Sequence, residues 1–385
     1  MKVVHICLTG GYTEGFFYQE NYLIKYQARM GHDVTLITTR YCWDKGKWGQ
    51  CDESGYRNGD NVEIIRIPYK YKIPYKINTY IGRFMGLYDA LEKLNPEFIF
   101  VHNFQFKDLD QIARYKQKHR NVRVVVDNHA DFSNSGRNWV SLNILYKIYW
   151  RSNAKKIKDY ADRFYGVLPA RVDWLKNVYG LPPEKCELLV MGVDDDAVEQ
   201  ARSEQSKQNF RKKYGIRNDD FLIVSGGKID SFKRQTLLLM EAVHSIPNDK
   251  LRLIIFGSVQ EDIKQKFEAL CDGKKVQYIG WAKGDQSYEF MGAADLIVFP
   301  GRHSVFWEQE AGLGIPMLCK YWDGTTHVDL GGNARFIRED SMEEIKRMIE
   351  EILDNPDEYQ KMKQVAEEKG METFSYRKIA ERALR

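Results

Sequence analysis

The densest anion-binding chemistry in the chain lies in Gly226-Gly227-Lys228-Ile229-Asp230-Ser231-Phe232-Lys233-Arg234. It directly follows an apolar run, Phe221 to Val224, that reads as a strand. Two glycines and three cations at a strand-to-helix turn bring backbone N–H groups, a helix N-terminus and positive side chains to one place. The G-K-[ST] of a Walker A loop is absent, which disfavours ATP hydrolysis. Gly226, Gly227, Lys228 and Lys233 are therefore candidates for holding an anionic ligand, with a solvated cationic face as the plain alternative. A second segment, Pro300 to Pro316, carries Arg302, His303, Ser304 and Val305, then Glu308, Gln309 and Glu310, ahead of Gly314-Ile315-Pro316. A carboxylate near a helix start can accept bonds from the two hydroxyls of a ribose, or can simply stabilise the helix dipole. Gly10-Gly11 lets a ligand approach the backbone closely, or makes a tight turn. It lacks the spacing of a G-x-G-x-x-G fingerprint, because Gly15 stands out of register. In Asp127-Asn128-His129-Ala130-Asp131, His129 follows an apolar strand; His102, after the preceding strand, is the alternative.

These residues need strands to place them. Short apolar runs alternate with amphipathic stretches along the chain, as in βαβ units with parallel sheets. In the first half, Val3–Leu8, Val34–Ile37, Phe98–Val101, Val122–Val126, Phe164–Val167 and Leu188–Met191 read as strands, and a helix from about Phe17 to Met30 stops at Gly31. A polar stretch from Asp194 to Asp220 breaks the pattern. The alternation then restarts with Phe221–Val224, Leu251–Phe256, Val276–Ile279, Leu296–Phe299 and Met317–Cys319, and Ser341 to Arg385 reads as two or three helices. The fold class is α/β, in two Rossmann-like halves whose ligands belong at the carboxyl ends of the strands. Residues 1–200 form an expected first domain and 201–370 a second.

The chain resembles the retaining GT-B glycosyltransferases whose best-known motif is E-x7-E. That family's second half opens with a strand, G-R, a lysine and K-G; Gly227-Lys228 and Lys233-Arg234 stand at those places. Leu253-Ile254-Ile255-Phe256-Gly257 is similar to its next strand and glycine, and Val276-Gln277-Tyr278-Ile279-Gly280 to its V-x-F-L-G. Ala293 to Gly301 matches A-A-D-x-x-V-x-P-S, and Gln309 to Met317 resembles E-A-M-A-x-G-x-P-V. Ala161 to Val167 and Gly192-Val193-Asp194 are similar in the first half. Two departures stand out. The arginine of G-R is Lys228, which loses the bidentate fork, and the carboxylate expected on the ribose is Gln309, in a segment shortened by about three residues against the family pattern.

The resemblance implies a GT-B fold with two domains facing a central cleft and a C-terminal helix, 371–385, crossing back to the first. It implies a hexosyl-type transfer from a UDP- or GDP-sugar to a glycan or lipid-diphosphate-linked acceptor, with retention, in surface polysaccharide or glycoconjugate synthesis. No cofactor and no metal are expected. Catalytic roles fall on His129, which contacts the donor sugar in that family, and on Lys228 and Lys233 at the leaving diphosphate. Donor binding falls on Gly10, Gly11, Gly226, Gly227, Gly257, Tyr278, Ile279, His303, Ser304, Val305, Glu308 and Gln309. For an inverting reaction Asp131 is the nearest base.

Composition bounds the rest. A chain of 385 residues with 43% hydrophobic and 29% charged residues suits two ordinary domains. Six scattered cysteines without a C-x-x-C pair read as free thiols in a reducing compartment, and the N-terminus does not read as a signal peptide. The expected setting is cytoplasmic, extending to the inner face of a membrane. The net charge of +4 implies no nucleic-acid partner. Arg66 to Lys76, with Leu145 to Arg151 and Lys155-Lys156, interleaves tyrosine and lysine. That pattern suits an anionic headgroup or lipid-linked acceptor, or an ordinary solvated face. Two rival readings stand: a nucleotide-sugar 2-epimerase on the same scaffold, and a degenerate, non-catalytic partner subunit.

Overall fold

A computed structural model describes residues 1–44, 47–51, 53–230, 234–282 and 286–385. Contacts divide the chain into two units, Met1–Val190 with Ile379–Arg385, and Met191–Lys378. The division falls before the 200/201 boundary expected from the polar stretch. That stretch folds into two helices of the second unit, Asp195–Arg202 and Glu204–Lys213, the latter capped by Ser203 accepting from the Ser206 N–H at 3.2 Å.

The first unit holds strands β1 (Lys2–Cys7), β2 (Asp33–Thr39), β3 (Tyr41–Asp44), β4 (Lys47–Gln50), β5 (Gly55–Arg57), β6 (Glu63–Ile67), β7 (Phe98–His102), β8 (Arg123–Asn128), β9 (Arg163–Gly166) and β10 (Cys186–Leu188). Its sheet runs β10-β9-β8-β7-β1-β2-β6-β5, parallel except for β5 against β6. Continuous burial along Val124–Val126 and Phe98–Val101 explains why these strands read as unbroken apolar runs: both faces are covered. The last residues pack in this unit. Gln27 Nε2 donates to the Ala380 carbonyl at 3.3 Å, and the Arg123 guanidinium to that of Leu384 at 3.1 Å.

In the second unit, β11 (Phe221–Ile229), β12 (Leu251–Val259), β13 (Val276–Tyr278), β14 (Leu296–Phe299), β15 (Met317–Lys320) and β16 (Ala334–Ile337) form one parallel sheet, ordered β13-β12-β11-β14-β15-β16. The strand order reverses between β11 and β14, and in the first unit between β1 and β7. Ligands of such sheets bind at those points. Gly226, Gly227 and Lys228 lie inside β11 rather than in a turn after it, because β12 carries a matching glycine: Gly227 is registered against Gly257.

The cysteines correct another expectation. The β3–β4 hairpin sets Tyr41 opposite Gln50, which brings Cys42 and Cys51 to a Cα separation of 6.1 Å, and they are disulfide-bonded. Cys7, Cys186, Cys271 and Cys319 are free. Among the described residues, no helix is long and apolar enough to cross a membrane.

Candidate active site

At the switch point of the second sheet the backbone is bare. A side chain on Gly226 would collide with the Phe256 ring, and one on Gly257, at φ +123°, with the Gly227 carbonyl. Gly227 faces Phe306, the first residue of the helix Phe306–Leu313; a Cβ there would meet that ring at 3.4 Å. The ends of β11 and β12 and this helix start thus form one corner without intervening side chains, suited to a ligand that takes backbone N–H bonds. Lys228 stands on its rim, 58% exposed, with Nζ 3.3 Å from Asp230 Oδ2. Lys233 lies outside the described residues.

Three consecutive polar side chains of this helix, Glu308, Gln309 and Glu310, are buried. Gln309 Oε1 and both Glu310 oxygens have no hydrogen-bond partner, and burial pushes the Glu310 carboxyl well up. Glu308 is different. Its Oε1 accepts from His303 Nε2 and from His327 Nε2, each at 2.9 Å. Burial would raise the Glu308 carboxyl, but the charges of the two histidines and their hydrogen bonds outweigh it and hold it at about 2. The loop after β14 supplies His303 and the turn after β15 supplies His327. Ser304 and Val305 offer their carbonyls to Trp307 and Gln309 at 3.0 and 3.1 Å, so their backbone starts the helix.

The first unit holds a second cluster, at its own switch point. Asp127, one residue before the end of β8, is fully buried. Its Oδ2 accepts from His102 Nδ1 at 3.2 Å and His129 Nε2 at 3.4 Å, and its Oδ1 from the Asn103 N–H at 2.8 Å. Asn103, at φ +72°, also accepts from the His129 N–H at 3.2 Å. The chain continues from His102 Nε2 to His5 Nδ1 at 3.0 Å, and from His5 Nε2 to Gln27 Oε1 at 2.7 Å. Its direction is fixed, because Gln27 must donate its NH2 to Ala380 and so offers oxygen to His5. His5 then donates from Nε2 and accepts at Nδ1 from His102 Nε2, and His102 Nδ1 faces the Asp127 carboxylate. Burial, and after it the charge on His102, push His5 down to about 3. Burial would raise Asp127, but His129 and His102 hold it far below the usual carboxylate range. His102 and His129, read as alternatives in the sequence, are two partners of one carboxylate.

The other expected residues fall as follows. Gly11 packs under the hairpin, where a side chain would meet the Tyr41 carbonyl, while Gly10 faces open space. The Tyr278 hydroxyl donates to the Gly257 carbonyl at 2.6 Å and the Ile279 N–H to that of Ile255 at 2.9 Å, so both brace the edge of β12. Asp131 is committed: it caps the turn at Ser133 and Asn134, and Arg171 Nε donates to it at 2.9 Å. Burial opposes ionisation there, but Arg171 and the hydroxyl of Ser133 keep the carboxyl below its ordinary range, which makes it a poor base. Of the tyrosine–lysine run, Arg66 is buried, donating to the Tyr12 and Thr39 carbonyls. Lys70, Lys72 and Lys76 are exposed, beside exposed Ile77 and Tyr80 on the helix Tyr75–Ile81. The π-helical segment Ser141–Trp150 presents Ile144, Lys147 and Ile148 to solvent after exposed Trp139 and Val140, and Tyr149 joins it to the Tyr80 carbonyl at 2.7 Å.

Known proteins share this fold. Residues 21–197 match the model of Glycosyltransferase Family 4, and residues 206–319 that of Glycosyl transferases group 1. The chain belongs to the group 1 glycosyltransferases. It is 24% identical to the lipopolysaccharide glucosyltransferase WaaG of Escherichia coli over 46% of this chain and 48% of that one. The chain spans half or less of the length of the curated relatives it matches. Among solved structures, Anabaena HepE in complex with UDP is 12% identical over 99% of this chain and 98% of its own, at a TM-score of 0.68. A UDP-GlcNAc 2-epimerase from Neisseria meningitidis bound to UDP-GlcNAc is 15% identical over 100% and 99%, at 0.64. The shared fold is GT-B.

Proposed function

We propose that this glycosyltransferase moves a hexosyl-type sugar from a UDP- or GDP-sugar to a glycan or lipid-diphosphate-linked acceptor, with retention, in surface polysaccharide or glycoconjugate synthesis at the cytoplasmic face of a membrane. The observation that carries the reading is the bare corner between β11, β12 and the helix Phe306–Leu313. A nucleoside diphosphate lies there with its phosphates on backbone N–H groups and on Lys228 and Lys233, and its ribose against the unpartnered oxygen of Gln309. The two lysines stabilise the leaving diphosphate in the place a metal ion would otherwise take. His129, oriented by Asp127, hydrogen-bonds the donor sugar. Retention is favoured because Asp131, which an inverting reaction would use, is tied up by Arg171 and its own turn. The exposed apolar and lysine side chains of Tyr75–Ile81 and Ser141–Trp150 suit the headgroup layer from which a lipid-linked acceptor would be taken.

The fold alone also suits a nucleotide-sugar 2-epimerase, and one assay separates the readings. The full chain is incubated with radiolabelled UDP- and GDP-sugars, with and without anionic vesicles carrying lipid-linked acceptor. Release of free nucleotide with label passing to the acceptor supports transfer. An epimerised donor rejects it in favour of the isomerase. Neither product, with donor bound, marks a silent subunit.

A further inference from the structure

We propose that His303, Glu308 and His327 bind one divalent transition-metal ion of the zinc class. Their ligand atoms all lie within 4.8 Å of one another, the group among the described residues that meets this condition. Both imidazole Nε2 atoms converge on the same carboxylate oxygen at 2.9 Å. The three residues come from separate segments, yet none can swing away. Glu308 is fully buried, the side chains of His303 and His327 are 11% and 4% exposed, and His303 meets Trp307 edge-on at 5.0 Å. The bonding is incomplete as it stands. Glu308 Oε2 and His327 Nδ1 are buried without a hydrogen-bond partner. A buried carboxylate that leaves one oxygen unmatched is costly. The three converging atoms, two imidazole nitrogens and one carboxylate oxygen, are the donors of the three-ligand face of a zinc site at about 2.0–2.2 Å, with the next position open to water or a ligand oxygen. Ligands on a tetrahedron at that radius lie about 3.4 Å apart, so small side-chain rotations from 2.9 Å open the site. One carboxylate and two imidazoles suit zinc or cobalt and are too poor in oxygen for magnesium or calcium. The ion ties the loop after β14 to the helix start and to the turn after β15. This inference stands apart from the identity of the donor sugar.

The test uses the full chain without a histidine tag, stripped with chelator and dialysed against Zn2+, Co2+ or Mg2+. One equivalent of Zn2+ is expected, and Co2+ should give the strong visible absorption of a four- or five-coordinate nitrogen–oxygen site. His303→Ala and His327→Ala should each weaken Zn2+ binding by roughly 100-fold or more, at or beyond the loss seen for outer partners of metal ligands. Glu308→Gln, which keeps shape and hydrogen bonding, guards against variants that fail to fold. Zn2+ should raise the melting temperature of the wild type and not of this variant. Zn2+ uptake below one equivalent, or equal uptake by wild type and Glu308→Gln, overturns the proposal and leaves a purely hydrogen-bonded triad.

Discussion

Each unit buries one carboxylate between two histidines, and the two arrangements differ in what they leave undone. Asp127 is complete: His102 and His129 share Oδ2, the Asn103 N–H takes Oδ1, and the chain beyond runs through His5 and Gln27 to the Ala380 carbonyl. Glu308 is half complete: both histidines crowd Oε1, and Oε2 faces no donor. A closed network fixes proton positions and orients whatever stands at its end, here His129. An open one calls for an external partner. The first cluster is built to hold a side chain still, the second to receive something.

The contrast can be broken at its centre. Asp127→Asn should destabilise the protein by roughly 3–5 kcal/mol, because it removes the buried charge that two histidines and the Asn103 N–H face and forces an NH2 against donors. In metal-free protein Glu308→Gln should cost only about 1–2 kcal/mol, since one oxygen has nothing to lose. Denaturant melts of both variants check this, and equal losses would erase the distinction. Catalysis sharpens it next. Lys233→Ala should remove roughly 2–4 kcal/mol of transition-state stabilisation and also weaken nucleoside diphosphate binding. His129→Ala should lower kcat by roughly 100-fold while leaving nucleotide affinity near wild type. Calorimetry beside a transfer assay measures both, and wild-type turnover in the histidine variant would return His129 to a structural role.

Acid acts on the same network gradually, through its inner end. His5 binds its proton only near pH 3 when folded but near 6.5 when unfolded, so the unfolded chain holds more protons in between. Stability is therefore full above pH 6.5 and falls as pH drops toward 3, by up to about 1.4 kcal/mol per pH unit. Asp127, also depressed, adds a loss of the same sign at lower pH. His5→Gln should flatten the slope of melting temperature against pH between 6.5 and 4; an unchanged slope would place the acid sensitivity elsewhere.

The fold was legible because parallel strands buried on both faces leave unbroken apolar runs, as Phe98–Val101 and Leu296–Phe299 do. Short or half-exposed strands were not: β3 and β4 carry no such run, so the pairing of Cys42 with Cys51 across them was hidden. His129 could be found from its place after a strand, and the glycines of β11 and β12 from the apolar runs they follow. Asp127 and His5 could not, since a polar residue inside an apolar strand has no local signal of the partner it meets on a neighbouring strand. The readable hint was that β1 and β7 each carry a histidine and another directly follows β8. His327 offered no comparable mark, because the turn after β15 brings it to Glu308 only in three dimensions.

The glycine pair of the second sheet has a consequence for how this sequence can change. Gly227 and Gly257 stand side by side on adjoining strands, and a methyl group on Gly257 would occupy the space of the Gly227 carbonyl oxygen. The obstacle is backbone, which no neighbouring side chain can trim away, so the rescue by a second substitution that repairs an overfilled core is closed here. Gly257 must therefore stay glycine whatever stands beside it, and Gly227, at φ +114°, is held to glycine by its own backbone. Laboratory libraries that randomise this corner to alter donor choice should keep both and draw their diversity from Arg302, Ser304 and Val305.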